Sequence, residues 1–241
     1  MWWWEKFIVS RATVGLFHGK ETFDAYAAYS HQPQLVHDIH TKKSDHISAA
    51  DLEAKADMVE QGPLKIVYTG KASAMKGPQD WVSIMERLDG QGVDFQATWL
   101  GDGPELPKTQ ARVTAAGLDD RVHFTGFVND CKEVLDHLRN AHIFLFCHKT
   151  PESPRCLIEA LISATPIVGY GGAFAQDLIL NHNGGRLVAL NDVADLSEKV
   201  VGLARDRKAL AELMRQALKG GAPFDDESVF QHRSGIIREY L

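Results

Sequence analysis

The sequence predicts an α/β protein: a doubly wound, Rossmann-like parallel sheet over residues 62–241, preceded by a partial segment over residues 1–61. Three observations carry that expectation. From residue 64 onward, short β-rich runs alternate with stretches whose apolar residues recur at helical spacing, the pattern of βαβ units. Glycine-bearing turns follow several of the runs, where loops of such a sheet would lie. At 241 residues, 44% hydrophobic and 24% charged, the chain can bury a substantial core.

Taken in order, the start MWWWEKFIV is apolar but short and broken by Glu5 and Lys6, so it fits neither a signal peptide nor a span. Its Trp2 to Trp4 run has two readings, an anchor at the inner membrane face or helix packing and oligomer contact, of which the second is preferred. Apolar runs at 7–9 and 14–17, a helix over 21–29 and a polar stretch over 37–46 follow, too little for a complete α/β domain. Residues 44–61 read as a helix and connector. Strands are expected at 65–69, 95–100, 122–125, 143–147 and 166–169, with amphipathic helices between them. Helices are then expected over 192–218 and, after the break at Gly220, Gly221 and Pro223, over 226–241.

The formal net charge of -6 argues against a nucleic-acid surface. Cys131, Cys147 and Cys156 form no CxxC, so neither a disulfide framework nor a zinc site is indicated, and a reducing cytoplasm fits. His37, Asp38, His40, Asp45 and His46 cluster in sequence without a standard metal-ligand spacing, so no metal is expected there.

Chemistry concentrates in the loops. Residues 66–77, IVYTGKASAMKG, run from a buried-type strand through Gly70 to Lys71, Lys76 and Gly77, placing two cations on one loop. Ammonium groups act as point charges toward phosphate. Residues 149–170, KTPESPRCLIEALISATPIVGY, are the most informative. Ser153 is expected as the N-cap and Pro154 as the first helical residue of a helix opening beyond a strand end. Such a terminus, with Ser153, Arg155, Cys156 and Leu157 in or beside its first turn, suits a diphosphate. Glu152 ahead of the helix and Glu159 within it suit sugar hydroxyls. WLGDGPE supplies a turn through Gly101 and Asp102, and VHFTGFV a loop through Gly126, Phe127 and Val128. The glycine pairs of YGGAFAQDLI and HNGGRLV are expected to bring backbone near a ligand.

In order and spacing these pieces resemble the carboxyl-terminal domain of GT-B retaining glycosyltransferases of family 4, the "group 1" family, from about Leu64 to the end. The resemblance implies a nucleotide-diphosphate sugar of the UDP or GDP type as donor, transferred with retention and without a metal or other cofactor. It implies that Lys71 and Lys76 meet the diphosphate, that Glu159 holds the ribose and Glu152 lies by the transferred sugar, and that Gly126 to Val128 border the base. Gly70, Gly101, Asp102 and the helix start Ser153 to Leu157 complete the implied donor site. Residues 1–61 resemble the end of an acceptor-side domain plus a connector. The acceptor, a saccharide or a lipid-linked one, is undefined, and a second subunit or a further copy could cover the interdomain face. The pattern departs from the family in two places: six residues rather than seven separate the glutamates, and Lys71 stands where Arg is common. A sugar-nucleotide epimerase or a non-catalytic nucleotide-sugar module are the alternatives.

Overall fold

A computed structural model describes residues 2–240, excluding the side chain of Trp2. Met1 and Leu241, the outermost residues of the two expected segments, lie outside the described residues. The amino-terminal segment holds α1 (Trp2–Val9), β1 (Gly15–His18), α2 (Gly19–Tyr26) and β2 (Pro33–Val36), and α3 (Ala49–Met58) follows in the connector. The sheet region alternates β3 (Leu64–Thr69), α4 (Pro78–Gly90), β4 (Phe95–Leu100), α5 (Leu106–Ala115), β5 (Val122–Gly126) and α6 (Cys131–Asn140). It continues with β6 (Ile143–Phe146), α7 (Arg155–Ile162), β7 (Ile167–Tyr170), α8 (Ala173–Ile179) and β8 (Gly185–Val188). The chain closes with α9 (Val193–Arg205), α10 (Arg207–Gly221) and α11 (Asp226–Glu239).

Six parallel strands in the order β5-β4-β3-β6-β7-β8 confirm the doubly wound sheet, beside a two-stranded parallel pair, β1-β2. The central strands show why their sequences are continuous apolar runs. Every residue of β6 (IFLF) and β7 (IVGY) is buried, because helices cover both faces. Trp81, Trp99 and Tyr68 pack together beneath β3 and β4, with Trp81 and Trp99 edge to face at 5.4 Å.

Two local expectations fail. Ser153 is not a helix cap: α7 begins at Arg155 with Pro154 in extended conformation ahead of it, and the buried Ser153 hydroxyl has no hydrogen-bond partner. Packing decides this, since Ser153 is pressed on the amino-terminal segment. Its Oγ lies 2.4 Å from where a Cβ on Gly19 would be, and its carbonyl meets His18 Nε2 at 3.2 Å. The Gly184-Gly185 pair does not approach a ligand site either. It lies at the start of edge strand β8, where a Cβ on Gly185 would sit 2.3 Å from the Ile167 carbonyl and one on Gly184, just ahead of the strand, 2.6 Å from Ala217 Cα. These glycines serve the packing of β8 against β7 and α10.

Connector and tail are fastened to both parts. Ile39, Ile47, Leu52, Ala56 and Val59 belong to the same core as the sheet. From α3, Lys55 Nζ donates to the carbonyls of Ser163 and Ala164 and to Thr165 Oγ1, at 2.8 to 3.1 Å, closing the carboxyl end of α7. Beyond α10 the chain crosses back: Asp226 N donates to the Thr41 carbonyl at 2.8 Å, and α11 packs on β2. On α1, Trp3 and Trp4 are exposed and pack mainly on each other and Phe7, so neither is buried against the rest of the chain. No helix among the described residues is long and apolar enough to cross a membrane.

Candidate functional site

In this sheet the strand order reverses between β3 and β6, and the loops leaving their carboxyl ends diverge to open a crevice. The β3-α4 loop carries Gly70, Lys71, Lys76 and Gly77, and it interlocks with the β4-α5 turn. Gly70 N donates to the Leu100 carbonyl and Ala72 N to the Asp102 carbonyl, both at 2.9 Å. Gly101, at φ 142°, lies so close that a Cβ would be 2.1 Å from the Gly70 carbonyl oxygen. Gly77, at φ 64°, brings the start of α4 against the Cys147 carbonyl at the end of β6.

Two cavities flank the reversal. The first, about 570 Å³, is lined by Gly70, Lys71, Gly101, Asp102, Phe127 and Val128 together with Thr69, Leu100, Gly103 and Val134. Gly126 sets its rim, accepting from Gly101 N at 2.8 Å, and Phe127 is 76% exposed there. The second, about 180 Å³, lies between the β6-α7 and β7-α8 loops and is lined by Glu21, His148, Lys149, Glu152, Leu157, Tyr170 and Gly172, among others.

Lys76 joins the β3 side to the β6 side: its Nζ donates to Glu152 Oε2 at 2.5 Å, and both side chains are largely buried. His148 Nδ1 stands 3.1 Å from Glu152 Oε1 without making a hydrogen bond, so that buried oxygen has no partner. On its other side the ring meets the Tyr68 hydroxyl at 2.9 Å. Burial, aided by the nearby Lys76 charge, lowers the His148 pKa to about 3, so the imidazole is neutral at pH 7. At Nε2 the neutral ring either accepts from Tyr68 or donates to it, according to the tautomer. Beside this row, Asp80 Oδ2 accepts from Tyr170 at 2.7 Å and pairs with Lys149 at 2.9 Å.

The structure thus gathers Gly70, Lys71, Gly101, Asp102, Phe127 and Val128 around one cavity, and Glu152 and Leu157 around the other with Lys76 between. Arg155 is exposed at the start of α7. Cys156, with its thiol pushed up to about 12 by burial and the Glu159 charge, is a protonated side chain on the same turn. Glu159, one turn along, lines neither cavity. Its carboxyl pKa is raised by burial and drawn back by Arg155 and His40. Sequence reasoning missed Tyr68, His148, Asp80, Lys149, Tyr170 and Glu21. His148 had a usable signal, a histidine just beyond a buried strand, whereas Glu21 and Asp80 reach the site only through the fold.

The histidines make stability acid-sensitive. His148 and His142 both have pKa values lowered to about 3, chiefly by burial, against about 6.5 in an unfolded chain. Between those values the unfolded state binds protons that the folded state excludes, so stability is full above pH 6.5 and declines as pH falls. Each histidine contributes a slope of about 1.4 kcal/mol per pH unit. Denaturation midpoints measured from pH 7 to 5 are expected to drop, and His148→Gln to flatten the slope by about half that pair's contribution. An unchanged slope in the variant would show that His148 is not held neutral.

Two histidines of the 37–46 stretch, His37 and His46, make other contacts. His37 packs on Phe224 at 4.8 Å and faces Asp177, and His46 meets the Phe224 carbonyl at 3.2 Å. Among the described residues, no three His, Cys, Asp or Glu side chains gather as a metal site would require.

The chain is 27% identical over 186 residues to a 2-deoxystreptamine glucosyltransferase of Streptomyces kanamyceticus, covering 77% of this chain and 47% of that protein. It is 25% identical over 246 residues to an alpha-D-kanosaminyltransferase of the same organism, covering 98% and 63%. It spans about half the length of the curated relatives it matches. Among solved structures, Anabaena Alr3699/HepE in complex with UDP-glucose superposes with a TM-score of 0.80 at 16% identity, covering 99% of this chain and 67% of that one. That likeness establishes the GT-B type of fold. Residues 63–206, which hold both cavities' sheet loops, match the model of the glycosyl transferases group 1, and the chain belongs to that family.

Proposed function

We propose that the crevice binds a nucleotide-diphosphate sugar and that the chain forms the donor side of a retaining, metal-independent hexosyltransferase. The observation that carries this reading is the Lys76-Glu152 pair at 2.5 Å, set at the strand reversal with one cavity to each side. In this reading the base enters the first cavity, bordered by Gly70, Gly101, Asp102, Gly126 and Val128, with Phe127 stacked on it. The diphosphate crosses the reversal, met by Lys71, Lys76 and the first-turn N–H groups of α7 at Arg155 to Leu157, with Ser153 just ahead. The sugar occupies the second cavity, where the unpartnered Glu152 Oε1 accepts a hydroxyl. Glu159 holds the ribose, the role that the family resemblance implies for it.

Transfer breaks the bond between the anomeric carbon and the diphosphate, and the electron pair leaves with the phosphate oxygen. Positive charge develops on the sugar while negative charge builds beside Lys71, Lys76 and α7. Fixed charges aimed at that position stabilise the transition state without reorganising. The acceptor hydroxyl attacks the same face, and its proton passes to the departing phosphate oxygen. The relatives' glucosyl, N-acetylglucosaminyl and kanosaminyl transfers support a hexose as the transferred group, and the UDP complexes among the fold neighbours make UDP the first donor base to test.

Calorimetric titration of the chain with UDP, GDP and their hexose conjugates tests this directly. Saturable binding of a diphosphate is expected, and binding of neither overturns the reading. Phe127→Ala is expected to weaken binding about 5- to 100-fold, the worth of one base stacked on an aromatic ring. Because Phe127 is 76% exposed, its removal should leave the denaturation midpoint unchanged. Unaltered affinity would remove Phe127 from the base site.

A further inference from the structure

The second cavity contains a carboxylate that comes from outside the sheet region. Glu21 lies on α2, in the amino-terminal segment, and lines the cavity alongside Glu152, His148 and Lys149. The fold delivers it there by packing α2 on α8. Gly172, ahead of α8, leaves the necessary room: a Cβ at that position would stand 2.6 Å from Glu21 Oε1. The carboxylate is held loosely, accepting from Phe174 N at a long 3.4 Å. The cavity therefore presents two acceptors, a half-buried Glu21 with one weak bond and the Glu152 Oε1 with none. Buried polar atoms are normally hydrogen-bonded, so such oxygens mark where a ligand's donors belong.

We propose that Glu21 is a specificity-determining residue for the donor's glycosyl group, accepting a hydrogen bond from a hydroxyl or amino substituent at the end of the sugar opposite Glu152. This rests on the donor-binding reading above and extends it. A short amino-terminal helix thereby reads the sugar, while the base and diphosphate are held by loops of the sheet and the start of α7. The two carboxylates in an otherwise largely apolar lining favour sugars with free hydroxyl or amino groups there over deoxy or O-alkylated ones, because a carboxylate left unpaired on binding is costly. The glycines make the arrangement sterically specific, since any side chain at Gly172 would displace the Glu21 carboxylate.

The test separates the glycosyl group from the rest of the donor. Wild type, Glu21→Gln and Glu21→Ala are titrated with the nucleoside diphosphate that wild type binds, UDP or GDP, and with the tightest-binding of its hexose conjugates. Both variants are expected to bind the free diphosphate within twofold of wild type. Glu21→Ala is expected to weaken the nucleotide sugar about 10- to 100-fold, in line with a hydrogen bond to a charged group. Glu21→Gln, which keeps a carbonyl acceptor but loses the charge, should fall between. Equal losses for diphosphate and nucleotide sugar would mean that Glu21 only supports α8, and no loss for either would mean that the sugar does not reach it. Both results overturn the proposal while leaving donor binding intact. Failure of wild type to bind any diphosphate would instead overturn the donor-binding reading itself. Denaturation midpoints of both variants guard against misfolding. If the alanine variant unfolds, the glutamine variant alone decides, by whether its nucleotide-sugar affinity drops more than its diphosphate affinity.

Discussion

Lys76→Ala is expected to weaken diphosphate binding about 10- to 100-fold, the worth of a charge-assisted hydrogen bond, and to lower any transfer rate about 100- to 1,000-fold. Two effects add. The variant removes a cation from the strand reversal, and it releases Glu152, now held at 2.5 Å, to face the phosphates as an uncompensated negative charge. A double variant, Lys76→Ala with Glu152→Ala, should therefore recover part of the diphosphate affinity, which a double-mutant cycle by calorimetry would register as coupling. Lys71, exposed on the outer part of the same loop, should cost only a few-fold when replaced, as befits a screened surface charge. If Lys76→Ala changes affinity for UDP and GDP less than threefold, Lys76 is a structural partner of Glu152 and not a phosphate ligand.

Gly77→Ala should be strongly destabilising. The residue sits at φ 64°, where an L side chain is strained, and its new Cβ would lie 2.2 Å from the Cys147 carbonyl oxygen. Backbone cannot yield locally there, because Gly77 is both the start of α4 and the point where that helix meets β6. Strain costs about 1 to 2 kcal/mol and the forced displacement brings the total to about 3 to 5 kcal/mol. Gly62→Ala provides the control, with φ 70° but no atom within 4 Å of its added Cβ. It should lose about 1 kcal/mol only. Denaturant titrations of the two variants thus separate conformational strain from collision. Equal losses would mean that the β3-α4 loop moves freely away from β6, and the spacing of Lys76 from Glu152 would then not be fixed by the backbone.

Much of the sheet was legible because its strands are buried on both faces. A run such as IFLF at 143–146 has no polar position to spare, and its burial is complete. The loops were legible for a related reason: Gly70, Gly101 and Gly77 stand where chains cross within contact distance, and only glycine fits there. Edge elements were harder. Strand β8 is short, has one neighbour and opens with a glycine, so its sequence GRLV carries little strand signal. The start of α7 was misplaced by one residue because Ser153-Pro154 has ideal local capping chemistry, yet Ser153 is claimed by Gly19 and His18 from 134 or more residues away.

The candidate site divides along the same line. Lys71, Lys76, Glu152 and the glycine turns are found from sequence, because each lies in a loop directly following a strand and topology alone sends such loops to one edge of a parallel sheet. What the sequence by itself determined is therefore the alternation of elements, the edge at which chemistry collects and the family to which the pattern belongs. Tertiary structure alone decided which side chains meet there: that Lys76 pairs with Glu152, that Tyr68 and Glu152 flank a neutral His148, and that Glu21 enters the second cavity from α2. Periodicity reports only whether a residue faces inward. Partners distant in sequence are chosen by packing between elements, where burial excludes water and a few tenths of an ångström decide whether a carboxylate is paired, orphaned or aimed at a ligand.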